Sequence, residues 1–117
     1  MKIIHFTDTH FIPTGKTLYG RDPATALERC IADINRNHPD AARCVITGDL
    51  THRGEPEAFD HLKQPLDQLK VPLRLLVGNH DNRDVFRQWF GDHPYDENGF
   101  IQTVEDLPVG RFIYLDT

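Results

Sequence analysis

The sequence is poor in cysteine: Cys30 and Cys44 are the only two in 117 residues, and they form no CxxC pair. A disulfide framework and a thiolate zinc site are therefore not expected, and both residues read as buried free thiols. Long apolar runs are missing too, and Asp8 arrives before the apolar core of a signal peptide could form. Neither a membrane span nor a secretion signal is expected, and the chain reads as cytoplasmic. Positive charge is in deficit, with 13 Lys and Arg against 18 Asp and Glu and a formal net charge of −5. That is the wrong sign for holding a polyanion by bulk electrostatics, so a nucleic-acid partner is argued against and any phosphate ligand needs local cations. With no internal repeat, low-complexity tract or linker, the chain reads as one compact domain with a modest core.

What is present is a rhythm of short apolar segments and amphipathic stretches. Ile3 to Thr7, Cys44 to Thr47, Leu73 to Val77 and Phe112 to Leu115 are rich in Ile, Val, Leu or Phe without clean alternation. Such segments suit strands covered on both faces, as in a parallel sheet. Asp22-Pro23 supplies an N-cap and a proline at the first helical position, and Leu27, Cys30, Ile31 and Ile34 recur at helical spacing as far as Asn37. Glu55-Pro56 opens a second helix with Phe59, Leu62, Leu66 and Leu69 on its apolar face. Pro65 predicts a kink there, or two short helices. Asp81 or Asn82 caps a third, short helix carrying Val85, Phe86, Trp89 and Phe90 and ended by Gly91. Phe100 to Val104 and Arg111 to Leu115 read as an antiparallel hairpin joined by a loop of about five residues over Asp106–Gly110. The order implies an α/β fold in which a parallel three-stranded unit with right-handed crossovers is extended by the hairpin. The loop from Phe11 to Arg21 is long for a strand-to-helix connection.

Three of these strands end in polar words: Asp8-Thr9-His10, Gly48-Asp49 and Gly78-Asn79-His80-Asp81. In a parallel sheet the carboxyl ends lie on one edge, where open α/β sheets bind ligands. Singly each word is weak, but their joint placement brings Asp, His and Asn donors together. Two divalent cations a few ångströms apart need a carboxylate between them, and Asp49 on the central strand is the natural bridge. Asp8 and His10 would hold one ion and the Asn79 carboxamide would help hold the other. Mixed Asp, His and Asn donors suit Mn, Fe or Zn better than Ca. His5 reads as a core or edge histidine, and His38, His61 and His93 as solvated ones.

DTH at 8–10, GDL at 48–50 and GNHD at 78–81 resemble the calcineurin-like metallophosphoesterase signature. Gly20 with Asp22, GDLTHRG followed by PEAF, and the closing LDT are similar to the bacterial branch of class III cyclic-nucleotide phosphodiesterases and glycerophosphodiesterases. The resemblance implies the N-terminal half of a metallophosphoesterase α/β sandwich: a βαβαβ unit, a short helix, then a β-hairpin. It implies two divalent ions, held by Asp8, His10, Asp49 and Asn79, whose bound hydroxide attacks a small phosphodiester such as a cyclic nucleotide or glycerophosphodiester. His80 would act on the phosphate or the leaving oxygen, oriented by Asp81. Two departures stand out. The family's second half supplies further histidines, yet none follows His93, and His52 stands three residues past Asp49 where relatives commonly carry Asp. Residues 1–117 are therefore expected to be the N-terminal portion of one such domain, with little activity alone and a homo-oligomer as one way of covering exposed edges. The alternatives are an inactive fragment or metal-binding interaction module, or a nuclease or nucleotide-sugar pyrophosphatase of the same superfamily.

Overall fold

The fold is built on a parallel sheet in the computed structural model, which describes residues 1–116. Strands β1 (Ile3–Phe6), β2 (Arg43–Thr47) and β3 (Leu73–Leu76) lie in the order β1-β2-β3, with Phe6 opposite Ile46 and Ile46 opposite Leu75. Helix α1 (Pro23–Asn37) links β1 to β2, α2 (Pro56–Leu66) links β2 to β3, and α3 (Arg83–Trp89) follows β3. Strands β4 (Thr103–Leu107) and β5 (Gly110–Tyr114) form a separate antiparallel hairpin.

Each helix begins where its sequence says. The Asp22 carboxylate accepts from Ala24 N at 3.1 Å and the Thr25 hydroxyl at 2.9 Å, Pro23 has no N–H to leave unpaired, and Ala24, Leu27, Ile31 and Ile34 are buried on one face. Asn82 caps α3, its side-chain oxygen accepting from Asp84 N and Val85 N. Of the kink or two short helices expected at Pro65, the division into two is not found: α2 is one helix that carries Pro65 as its penultimate residue. The ring removes the N–H that would bond to the carbonyl of His61, the helix ends one residue later, and Leu69 falls beyond it while still packing on the core.

One face of the sheet carries the main core. Phe6, Ile46 and Leu75 pack with Leu27, Ile31, Phe59, Leu62 and Phe86 from the helices, each buried Leu or Ile contributing about 1.5–3 kcal/mol. Cys44 lies in a smaller cluster with Ile34, Ala41 and Val71, and burial pushes its thiol up to about 11. The expectation of strands covered on both faces holds for β2 and fails at β1, where His5 is exposed and its Nε2 meets the Thr47 hydroxyl at 2.7 Å.

The opposite face carries Arg43 and Arg74, and the hairpin is tied to it by charge. Glu105 on β4 accepts from Arg43 Nε at 2.9 Å and Arg74 at 3.2 Å, and its second oxygen takes the Tyr114 hydroxyl at 3.0 Å. These partners, Arg43 foremost, hold the Glu105 carboxyl below its usual range. At the hairpin's end the buried Asp116 carboxylate joins Arg83 at 2.7 Å and Ile101 N at 2.8 Å. The hairpin turn is tighter than the sequence suggests: Leu107 pairs with Gly110, so the loop is Pro108-Val109 alone.

Two histidines read as solvated are not. His61 Nδ1 lies 2.9 Å from the Ile12 carbonyl, and its ring packs on Phe11. His93 packs edge-on against Phe86 and Phe90, with its Nε2 buried and unpartnered among the described residues. Burial, reinforced by the Arg74 charge, pushes its imidazole down from 6.5 to about 4. The unfolded chain therefore binds the extra proton between those values, so stability is full above pH 6.5 and falls by about 3 kcal/mol as pH drops toward 4. Urea unfolding across that range should show the slope in the native chain and a flatter one in His93→Phe; equal slopes would refute this role.

Candidate metal centre

Past their last paired residues, β1 and β2 stay zipped through their loops. Asp8 N donates to the Gly48 carbonyl at 3.1 Å, His10 N to Asp49 O at 2.9 Å, Phe11 N to Leu50 O at 2.9 Å and His52 N to Phe11 O at 2.8 Å. Asp8, His10 and Asp49 all take positive φ, 59°, 46° and 45°, in the left-handed region that non-glycine residues seldom occupy. Such a conformation costs of order 1–3 kcal/mol per residue and persists where the surroundings over-determine it, characteristically at functional sites.

The third loop is locked on by Asp81. Its Oδ1 accepts from Thr51 N and the Thr51 hydroxyl, both at 2.8 Å, and its Oδ2 from Leu50 N and Gly78 N, both at 2.9 Å. Thr51 is fully buried, and its hydroxyl oxygen accepts in turn from Gly54 N. Beneath Asp49 the backbone approach needs glycine. A Cβ on Gly78 would lie 2.2 Å from Asp49 Oδ1 and 2.4 Å from Asp49 N, and one on Gly48 would lie 3.1 Å from Gly78.

The result brings together most of the residues expected from the sequence. Asp8, His10 and Asp49 each offer a donor atom within 4.8 Å of the others. His10 Nε2 lies 3.4 Å from Asp8 Oδ1 and 3.7 Å from Asp49 Oδ2. The Thr7 hydroxyl first, and the His10 ring next among the favourable contacts, lower the Asp8 carboxyl from its ordinary value. Asn79 lines the same cleft of about 350 Å³ as Asp8 and Asp49. Two carboxylates and an imidazole converging at a partly open strand edge form a donor set that fits a divalent ion.

His80 donates its backbone N–H to Asp49 Oδ1 at 3.1 Å, and its ring stands 5.0 Å from that of His10. Asp81 was expected to orient that ring, but its carboxylate is engaged by the loop backbones and Thr51. The ring is held instead by His52, whose carbonyl lies 2.8 Å from His80 Nδ1. His52 also brings its own Nδ1 to 3.3 Å from His10 Nδ1, so His10, His52 and His80 form a second group with nitrogens within 4.8 Å. The sequence singles out His52 as a departure three residues past Asp49 but gives no sign of the three-histidine cluster, nor of Thr51 as the partner of Asp81.

Comparison with known proteins agrees with this geometry. The calcineurin-like phosphoesterase family model matches residues 1–115, and the chain belongs to that family. It is 45% identical, over 117 residues, to a Rhodopseudomonas palustris protein described as "Probable cyclic nucleotide phosphodiesterase", covering 100% of this chain and 43% of that one. It is 34% identical to an Arcobacter nitrofigilis "Probable glycerophosphodiester phosphodiesterase", covering 100% of this chain and 44% of the relative. The chain thus spans less than half the length of these curated relatives. A purple acid phosphatase from yellow lupin seeds shares the fold, with a TM-score of 0.66 at 19% identity over 97% of this chain and 24% of that one. The family is one of phosphoesterases, and both of these bacterial relatives are described as probable phosphodiesterases.

The clamp carries a measurable consequence. Asp81→Asn replaces one acceptor oxygen by an amide that faces N–H donors, so stability should fall by about 2–4 kcal/mol in urea titration. An unchanged midpoint would show that the loops hold together without it.

Proposed function

We propose that the complete protein hydrolyses small phosphodiesters at a dinuclear metal centre, with this chain supplying Asp8, His10, Asp49, Asn79 and His80. The observation that carries the reading is the convergence of Asp8, His10 and Asp49 at the ends of adjacent parallel strands. Two Mn, Fe or Zn ions, when bound, would render a water nucleophilic at neutral pH and share the charge that develops on the phosphoryl group.

The chain's own residues prepare for that chemistry. Asp49 is fixed through Oδ1 by the His80 amide, which leaves Oδ2 on the His10 side and suits the residue to serve two cations. Asp8 and His10 serve the first position, and the neutral Asn79 serves the second. A carbonyl can only accept, so the His52 carbonyl requires a proton on His80 Nδ1 and leaves Nε2 as the nitrogen able to deliver a proton to the departing alkoxide. A cytoplasmic setting belongs to the same reading, because two free thiols suit a reducing compartment.

In the complete protein, added Mn²⁺ should support cleavage of bis(p-nitrophenyl) phosphate and EDTA should abolish it; cleavage of monoesters alone would overturn the diesterase reading. Asp49→Ala should lose at least one equivalent of metal by elemental analysis together with nearly all turnover. His80→Ala should retain its metal and lower kcat by about 10²- to 10⁴-fold, the usual worth of a positioned acid. Metal loss in His80→Ala would contradict that role.

A further inference from the structure

One feature of the long loop after β1 is unexplained by the metal chemistry. Residues Leu18 to Arg21 form a tight reversal closed by two backbone hydrogen bonds, Leu18 N to Arg21 O and Arg21 N to Leu18 O, both 2.9 Å. Its central residues, Tyr19 and Gly20, have φ of 52° and 74°. That pattern is the mirror-image hairpin turn, whose first central position is relaxed with Asn, Asp or Gly and strained with an aromatic residue. Tyr19 also buries almost nothing, being 89% exposed. A large ring held in a disfavoured conformation and left in solvent contributes nothing to folding, so its place calls for another account.

Its neighbourhood supplies one. The Tyr19 ring centroid lies 6.4 Å from that of His52, and the His52 ring lies 5.4 Å from both His10 and His80. Tyr19 and His52 line a cavity of about 320 Å³ with Ile12, Lys16, Arg53 and Glu55, within the size range of small-molecule sites. Of the three histidines His52 alone lines this cavity and so joins it to the cluster, and a phosphodiester with its phosphorus at Asp8, His10 and Asp49 would extend an organic substituent along His52 toward Tyr19. Lys16 and Arg53 supply there the local cations that the net charge of −5 withholds from the chain as a whole.

We infer that Tyr19 is a specificity-determining residue whose ring stacks on the base of a nucleoside phosphodiester. This rests on the phosphodiesterase reading above and narrows it, since a planar aromatic face favours a nucleobase over a glycerol substituent. Every base presents a π-face, so the site selects nucleotides as a class and not one base. Lys16 and Arg53 add attraction for the anion without discriminating between the two substrate types.

Binding to the complete protein loaded with Zn²⁺ tests the inference without turnover, using adenosine 5′-phosphate, glycerol 3-phosphate and inorganic phosphate as probes. In the native complete protein the purine protons of adenosine 5′-phosphate should move upfield by NMR, the signature of an aromatic ring over the base. Tyr19→Asn, which relaxes the turn, should abolish that shift and weaken adenosine 5′-phosphate binding about tenfold while leaving glycerol 3-phosphate binding unchanged. Tyr19→Phe should retain both the shift and the affinity. Equal weakening of the two organic phosphates, or of neither, overturns the inference. Phosphate binding with no upfield shift of the purine protons overturns it alone, whereas no phosphate binding at all counts against the phosphodiesterase reading and the inference together.

Discussion

The two oxygens of Asp81 accept four hydrogen bonds, from Leu50, Thr51 and Gly78, and the candidate site depends on that arrangement. A parallel sheet brings strand ends to one edge but does not fix the loops that leave them. Asp81 does so by presenting one charged acceptor to N–H groups from two different loops, which is worth more than neutral pairing and leaves none of these donors unsatisfied. With the β3 loop pinned, Gly78 lies against Asp49 with no room for a Cβ, and the His80 amide reaches Asp49 Oδ1. The group expected to orient a histidine thus acts on the scaffold, and the histidine is oriented by a backbone carbonyl.

The distribution of stability around this edge is uneven in a way that suits a site. Apolar packing is concentrated on the helix-covered face, where Ile46, Leu62, Phe59 and Phe86 are fully buried. The other face relies on the Glu105 pairing with Arg43 and Arg74 to hold the hairpin. The strain at Asp8, His10 and Asp49 is sustained by the core beneath and by the backbone ladder between the β1 and β2 loops. Three left-handed non-glycine residues within one donor cluster form a preorganised arrangement that an unconstrained loop would not keep.

Much of this was legible in the sequence because it follows from local rules. Asp22-Pro23 and Asn82 mark helix starts through capping chemistry, and the spacing of Leu27, Ile31 and Ile34 gives the buried face of α1. The three polar words after three apolar segments foretold the convergence of Asp8, His10 and Asp49, since strand polarity alone sends them to one edge. What could not be read depends on contacts distant in sequence. Two partners of Asp81, Leu50 and Thr51, lie about 30 residues away, and Glu105 reaches Arg43 across 62. That Pro65 does not divide α2 could not be read locally, and the surroundings of His93 are set by the packing of Phe86 and Phe90. The hairpin loop was overestimated since Asp106 and Arg111, polar enough for a loop, form a cross-strand ion pair instead.

Two donor groups share His10: one with Asp8 and Asp49, the other with His52 and His80. The account assigns metal to the first and leaves the second to hold and move protons. Anomalous diffraction at the Mn edge from crystals grown with Mn²⁺ distinguishes them directly. The account predicts a peak in contact with Asp8, His10 and Asp49, with any second peak sharing Asp49 and lying beside Asn79. A sole peak among the nitrogens of His10, His52 and His80 would contradict it.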